Sequence, residues 1–437
     1  MFVSRESATT KTKQRGMGLA FRVLERFGAR SLAGRMRRRL GWFVCRATVR
    51  RMANMLLCAV AFALKRERVR TCPVFLRIDI SPLCNLRCTV CVHAHPDGNP
   101  TLEKQRFYKD QLMDVEQFRR IVEEVKDRAT GVSLYYLGDP LMHPRADEMC
   151  TIASEASLNV HYSTNLSFRL SDERIRRIVT SGLTHLTVCV DGLSQDKYAR
   201  TRVGGRIELV LENLRRVCEQ RRSLCQRDPF VEVQYIKYQH NLDELAEAKH
   251  LLEGLGVDQV HELWGGLHNY TDRDPGRYTV LGPKRSRWLP QCHWPHFFMQ
   301  IKYNGDVIPC CCFRLGRQYT EEDDGRCVGN VLKTSVCEVW NSPEYRRVRR
   351  LVCNPSSSTS DGALAANFCY ECPRLFETNF AALSYWGKDH TFEELYALGP
   401  EGRPIRRRAL ALAEDGGASP SKPGVLMQEG RDTKRSA

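Results

Sequence analysis

Cys84, Cys88 and Cys91 stand in the run "FLRIDISPLCNLRCTVCVHAHP", Phe75 to Pro96, at the spacing C-x3-C-x2-C. Three thiols are an odd number, which no disulfide framework uses up, and one fewer than the four that close a structural zinc site. Thiolate is also the usual ligand of iron–sulfur clusters. Three thiolates on one loop can hold three irons of a 4Fe–4S cube and leave the fourth iron open to an exogenous chelator. His93 and His95 follow the loop directly and read either as catalytic or ligating groups or as polar loop surface.

The elements that must position such a loop are legible as an alternation. From Cys72 to about Trp264, short β-rich runs ("VFLRIDIS", "VSLYYLGD", "LNVHYST", "THLTVCVDG", "FVEVQYI", "DQVHELW") alternate with helical patterns, the helices beginning near Asp114, Pro144, Ser171, Ile207 and Leu242. Six such alternations predict an α/β fold with a parallel sheet and right-handed crossovers. Six units fall short of a closed eightfold barrel, so the expectation is a partial, open (β/α)6 TIM-like barrel. In such a barrel the loop after the first strand lies on the C-terminal face, where sites are assembled. A Gly/Pro-containing linker, Gly265 to Pro290, precedes a hairpin, "FFMQIKYNGDVIPCCCF", with Asn304-Gly305 at its turn.

With the cysteines placed on that face, the stretch resembles the cluster motif of the radical S-adenosylmethionine (SAM) superfamily. In the family an aromatic residue often precedes the third cysteine; here Val90 stands there, which keeps an apolar contact with the cofactor. "YYLGDP" resembles the family's Gly-Glu-Pro segment, with Gly138, Asp139 in place of Glu, and Pro140, whose backbone receives the SAM amino group. Ser163 and Asn165 of "YSTN" end the third strand and resemble residues facing the methionyl part or ribose. Asp191 of "VDG", followed by "ARTRVGG", ends the fourth and resembles residues used near ribose and carboxylate. Singly, each of these reads equally as an ordinary turn. The resemblance implies SAM bound to a 4Fe–4S cluster, one-electron cleavage to a 5′-deoxyadenosyl radical, and hydrogen abstraction from a substrate. It also implies an electron donor such as flavodoxin or ferredoxin.

Farther on, twelve residues separate Cys292 from Gly305 and four separate Gly305 from Cys310, and Cys369-x2-Cys372 follows with Pro373 behind it. This resembles the auxiliary-cluster domain SPASM, or its shortened relative Twitch. The resemblance implies an auxiliary 4Fe–4S cluster on Cys292, Cys310, Cys369 and Cys372, for electron transfer or substrate ligation. A full SPASM run would place a further cysteine where Thr378 stands, so one auxiliary cluster is expected rather than two. Structural zinc on the same four thiols is the alternative. The "CCC" at 310–312 leaves the register to spacing, which selects Cys310. Cys72 reads as a small hydrophobe, and Cys337 as an idle thiol or a further ligand.

Charge and composition bound the remainder. The chain has 437 residues, 42% hydrophobic and 27% charged, with 19 cysteines and no secretory signal peptide. That fits a globular protein of a reducing, cytoplasmic compartment. Residues 1–70 hold 18 Lys and Arg against 3 Glu, nearly the whole formal net charge of +16. The expected organisation is a basic amphipathic arm (1–70), a radical SAM barrel (71–265), an auxiliary-cluster domain (290–375) and a disordered tail (414–437). Within the arm, Ala20, Val23, Leu24 and Phe27 recur at helical spacing, and "MANMLLCAVAFAL", Met52 to Leu64, is too short to span a bilayer. That run reads as a helix packed on the body, an interfacial helix on anionic lipid, or part of an Arg-rich transit segment. An anionic membrane surface would hold the body peripherally where a lipid-linked substrate is met. A small molecule or glycan is the other substrate class; a peptide-maturing or RNA-modifying enzyme is the alternative function. Nucleic acid is disfavoured because the body beyond Arg70 is nearly neutral. "WGGLHNY", Trp264 to Tyr270, leaves the sixth strand where it could touch substrate.

Overall fold

The computed structural model describes residues 46–94, 109–267, 280–311, 327–365, 367–378, 387–399 and 402–407. The helix expected around Ala20–Phe27, His95, Cys312, residues 268–270 and the tail from 414 lie outside them.

Among the described residues, helix α1 (Val49–Ala63) comes first, with Thr48 as its N-cap. The alternation then follows in order: β1 (Phe75–Ile78), α2 (Val115–Val125), β2 (Gly131–Ser133), α3 (Ala146–Glu155), β3 (Asn159–Thr164), α4 (Asp172–Thr180), β4 (His185–Val190), α5 (Gln195–Thr201), α6 (Ile207–Ser223), β5 (Phe230–Lys237), α7 (Leu245–Gly254) and β6 (Gln259–Trp264). β1 to β6 pair in sequence, each parallel to the next. The six-unit open barrel is therefore present. Local chemistry starts its helices where expected. The Asp114 carboxylate accepts from Glu116 N and Gln117 N, and Ser171 Oγ accepts from Arg174 N, each satisfying amides that a helix start leaves unpaired. α2 buries Val115, Phe118, Ile121, Val122 and Val125, the stripe of a 3.6-residue period.

Beyond β6, the expected linker contains a strand, β7 (Val280–Pro283). After α8 (Trp294–Phe297), the hairpin forms from β8 (Phe298–Ile301) and β9 (Asp306–Ile308), with Gly305 at φ +83° in its turn. β8 lies parallel to β1, and β9 and β10 (Gly329–Asn330) extend the same sheet, whose order is β10-β9-β8-β1-β2-β3-β4-β5-β6. The C-terminal hairpin thus covers an edge that the barrel alone would leave open. α9 (Val336–Trp340) and α10 (Pro343–Cys353) follow. β11 (Phe376–Thr378) pairs antiparallel with β7. Last come α11 (Phe392–Leu395), β12 (Tyr396–Leu398) and β13 (Pro404–Arg406); Phe392 and Tyr396 pack with Tyr238 and Leu267 beside the C-terminal ends of β5 and β6.

Alternation along the strands sets the two faces of the sheet. Leu76, Ile78, Val132, Val160, Tyr162, Leu186, Val188, Val231 and Val233 belong to the main core with the helix stripes. The alternate positions, among them Arg77, His161, Thr187 and Glu232, face the barrel interior.

α1 lies across the opposite end of the barrel from the cysteine loop. Its Asn54 bonds Cys72 and the Arg128 carbonyl, just before β1 and β2, and its Arg51 reaches carbonyls of Lys126, Ala156 and Ser157, before β2 and β3. The reading of α1 as a packed helix is right for this inner face. The arm does not bring the barrel mouth to a surface through α1, because strands some six residues long, about 20 Å, separate the two ends. Cys72 is no idle hydrophobe: it is bonded to Cys337 of α9, with Cα atoms 5.8 Å apart, which joins the start of β1 to the C-terminal domain.

Candidate active site

The loop after β1 is held to the barrel's C-terminal face by its own backbone. Arg87 N donates to Val203 O (2.9 Å) and Thr89 N to Thr201 O (3.0 Å), while Thr89 Oγ1 donates to Arg200 O (2.7 Å). Buried Leu86 anchors the middle. A turn, Cys91 N to Cys88 O (3.0 Å), places the second and third cysteines together. Burial pushes the Cys88 thiol up to about 12, with Arg202 opposing it. Cys84 is pushed well up by burial, then by Asp139 and the other two thiols. Three thiols that oppose one another's ionisation on one partly buried loop suit a polynuclear cation, which reverses that penalty. Among the described residues no three His, Cys, Asp or Glu side chains stand at metal-coordinating geometry. The fit rests on donor type and on the shared loop.

The next three strand ends converge on this loop. Gly138 allows the closest approach: a Cβ there would lie 2.2 Å from Ser81 O and 2.4 Å from Leu83 O. Asp139 N donates to Leu83 O (2.8 Å), so this amide ties the cysteine loop rather than standing free for a ligand. The buried Asp139 carboxylate accepts from Leu141 N (3.0 Å), Thr164 Oγ1 (2.9 Å), Asn165 N (2.8 Å) and Asn165 Nδ2 (2.8 Å). Burial still pushes it up to about 6, against those donors. Pro140, buried, opens the single turn that follows. Asn165 Nδ2 also reaches Asn85 Oδ1 (2.9 Å) and approaches Cys84 Sγ (3.8 Å). At the end of β4, buried Asp191 accepts from Thr201 Oγ1 (2.6 Å) and bidentately from Arg202 (2.9 and 3.0 Å). Val90 is half-buried, and Ser163 faces inward beside Cys189 (4.0 Å).

The structure therefore gathers Cys84, Cys88, Cys91, Gly138, Asp139, Asn165 and Asp191 at one end of the barrel. His93 is not loop surface: it is buried with Nε2 3.2 Å from Leu137 O, and burial pushes it down to about 4. Sequence reasoning missed Arg202, which joins Asp191 to the Cys88 thiol. Its only trace is "ARTRVGG", where nothing distinguishes Arg202 from Arg200 before the fold pairs it.

In the C-terminal domain, burial raises the Tyr345 hydroxyl, and the thiols of Cys369, Cys310 and Cys292 act on it in the same direction. Three of the four expected auxiliary ligands thus lie within electrostatic reach of one side chain. Asn367 Oδ1 accepts from Cys369 N, and Cys372 N donates to Cys369 O (3.2 Å), closing the turn that carries the fourth. Cys311, the neighbour of Cys310, accepts from Arg77 Nη1 (3.0 Å) in the barrel interior.

Below the mouth, the inward strand positions form a polar band that sequence reasoning did not identify. The Arg77 guanidinium lies 5.1 Å from the Tyr135 ring, Tyr135 is 5.2 Å from His161, and His161 is 4.9 Å from His185. His185 Nε2 and Glu232 Oε2 are 2.9 Å apart, and His261 Nδ1 lies 3.2 Å from Glu232 Oε1. Burial holds His161 well below the usual histidine range, with His185 and Arg77 adding to the effect. Burial works to raise Glu232, yet the hydrogen bonds and charges of His185 and His261 hold it below the usual glutamate range. The available signal was the period of two in "NVHYST", "HLTVCV" and "FVEVQYI".

This architecture, an open α/β barrel with three cysteines on its first loop and a cysteine-bearing C-terminal domain, defines a class. Residues 78–226 match the radical SAM superfamily model, and residues 292–373 match the iron–sulfur cluster-binding domain SPASM. The chain belongs to the radical SAM superfamily: it is an enzyme whose cofactors are SAM and 4Fe–4S iron–sulfur clusters, with a C-terminal SPASM domain. It is 22% identical over 318 residues to the tungsten-containing aldehyde ferredoxin oxidoreductase cofactor-modifying protein of Pyrococcus furiosus, covering 64% of this chain and 84% of that one. With GTP 3′,8-cyclase of Aeromonas hydrophila it shares 28% identity over 125 residues, 28% of this chain and 35% of the cyclase. Among solved structures, Streptococcus suis SuiB bound to SAM aligns over 70% of this chain and 74% of its own, at 15% identity and a TM-score of 0.49.

Proposed function

We propose that Cys84, Cys88 and Cys91 hold the SAM-binding 4Fe–4S cluster, and that the enzyme abstracts hydrogen from a polar substrate, or a polar part of one, lodged in the barrel interior. When bound, the cluster and SAM supply one-electron cleavage of the sulfonium bond and a 5′-deoxyadenosyl radical. The chain's own residues do the rest. Asp139 fixes Asn165 beside Cys84, and Asp191 with Arg202 secures the wall beside Cys88. Val90, Gly138, Pro140 and Ser163 line the same approach. The polar band from Arg77 to His261 offers further hydrogen-bond and charge partners to hydroxyl, amide or acidic groups, a lining that complements a polar group better than an apolar tail. Cys292, Cys310, Cys369 and Cys372 hold one auxiliary 4Fe–4S cluster that takes up an electron or ligates substrate. A flavodoxin- or ferredoxin-like donor supplies the reducing electron, and the basic arm is the contact for an anionic membrane surface.

The observation that carries this reading is the convergence of three strand-end segments on one three-thiol loop. Metal analysis of the anaerobically reconstituted full chain tests it. The expected content is about eight irons, from two clusters of four, falling to about four when Cys84, Cys88 and Cys91 are all replaced by Ala. Zinc together with no more than about four irons in the unsubstituted protein would overturn the two-cluster assignment.

A further inference from the structure

α1 is amphipathic in the reverse sense. Its buried face carries Arg51, 3% exposed, and Asn54, 5% exposed, with Cys58 and Ala61. Arg51 donates to carbonyls of Lys126, Arg46, Ala156 and Ser157, and Asn54 bonds both N and O of Cys72 as well as Arg128 O. The helix cannot rotate to hide its apolar side without exposing that guanidinium and leaving the carbonyls before β2 and β3 without their donor. The opposite face, read around the helix at 100° per residue, is therefore held outward. It presents Val49 (86% exposed), Met52, Leu56 (65%), Leu57 (52%), Val60 and Leu64 (59%) in one stripe about 22 Å long.

The charge around the stripe is mostly positive. Arg50 beside it is exposed and pairs with Asp127, and Lys65, Arg66, Arg68 and Arg70 follow its end against Glu67, itself paired with Arg350, while the 45 residues that lead into it hold 11 Lys and Arg against 2 Glu. A second copy docked on this stripe would bring two strongly cationic arms together. An anionic bilayer surface instead complements both features, taking apolar side chains into its interface and Lys and Arg at its phosphates. No described helix is long and apolar enough to cross a membrane.

We propose that the outward face of α1 docks on an anionic phospholipid surface, with the barrel mouth turned away from it. The proposal goes beyond the catalytic reading and does not rest on it. It also specifies what the basic arm alone does not: the face used, and an orientation in which substrate reaches the mouth from the aqueous side.

The test is co-sedimentation of the full-chain, reconstituted protein with phosphatidylglycerol–phosphatidylcholine vesicles and with phosphatidylcholine vesicles alone. Binding is expected only to the former and is weakened by salt. Replacing Leu56, Leu57 and Val60 together by Ser should lower the partition constant at least about tenfold and leave iron content and 5′-deoxyadenosine formation as in the unsubstituted protein. Three results overturn the proposal: unchanged vesicle binding in the variant, a solution dimer that the substitutions dissociate, or a lowered melting temperature with no vesicle binding in either protein. Absence of 5′-deoxyadenosine in every sample would count against the enzymatic reading and leave the vesicle result intact.

Discussion

At the scale of single residues, Asp139 is the group on which the geometry beside the three-cysteine loop depends. It stands where the family pattern has Glu, and the shorter carboxylate sits buried, receiving Leu141 N, Thr164 Oγ1 and both nitrogens of Asn165. Asp139→Ala would leave those donors without their acceptor, a loss of about 3 kcal/mol in stability. It would also release Asn165 from its place beside Cys84. We expect 5′-deoxyadenosine formation to fall more steeply than stability, at least about tenfold, because misplacement by an ångström is costly to positioned chemistry. Unfolding in urea beside a rate measurement checks this; an unchanged rate in a destabilised protein would make Asp139 purely structural. The cysteines, Asp139 and Asn165 were legible because each follows a strand in chain order. Arg202 was not, because Asp191 meets it only once the segment through α5 folds back on the end of β4, and Cys88 only through the loop that runs alongside residues 200–203.

At the scale of elements, the junction of α1 with α8 contains a titratable group that packing keeps neutral. His296 is 1% exposed, its ring is 5.5 Å from Phe62, and Nε2 lies 3.2 Å from Arg66 O. Burial pushes it down to about 4, and Arg349 lowers it further. Between that value and the ordinary 6.5 or so, the unfolded chain holds a proton that the folded protein refuses. Stability is therefore complete above about 6.5 and declines as pH falls toward 4, by roughly 3 kcal/mol from this group. His296→Gln, which keeps a donor for Arg66 O, should melt with a shallower loss between pH 7 and pH 5 than the unsubstituted protein; equal slopes would show that His296 is not the responsible group. The six strand–helix units and the Asn304-Gly305 turn were legible because period and turn chemistry are local. The docking of α1 was not: Arg51 looks like the basic flank of an apolar run and Asn54 like its interruption until carbonyls more than seventy residues away are placed against them. The pairing of β8 with β1 was hidden for the same reason, since no local pattern records which edge a distant hairpin will cover.

At the scale of the whole molecule, the two ends of the barrel are given different work. The C-terminal face gathers the three thiols with Asp139, Asn165 and Asp191 above a polar interior, while the N-terminal face carries α1 and its outward apolar stripe. The C-terminal domain is joined to the barrel through β8 on β1 and the Cys72–Cys337 bond, which fixes the auxiliary thiols relative to the barrel. The claim that unites these features is that the three-thiol loop is the place where SAM is cleaved. It is tested most directly by quantifying 5′-deoxyadenosine after anaerobic incubation of the reconstituted, dithionite-reduced full chain with SAM alone. The account predicts slow formation by the unsubstituted protein and none by the variant with Cys84, Cys88 and Cys91 replaced by Ala, although that variant keeps its C-terminal cluster. Formation of none by the fully iron-loaded protein, or undiminished formation by the variant, would contradict it.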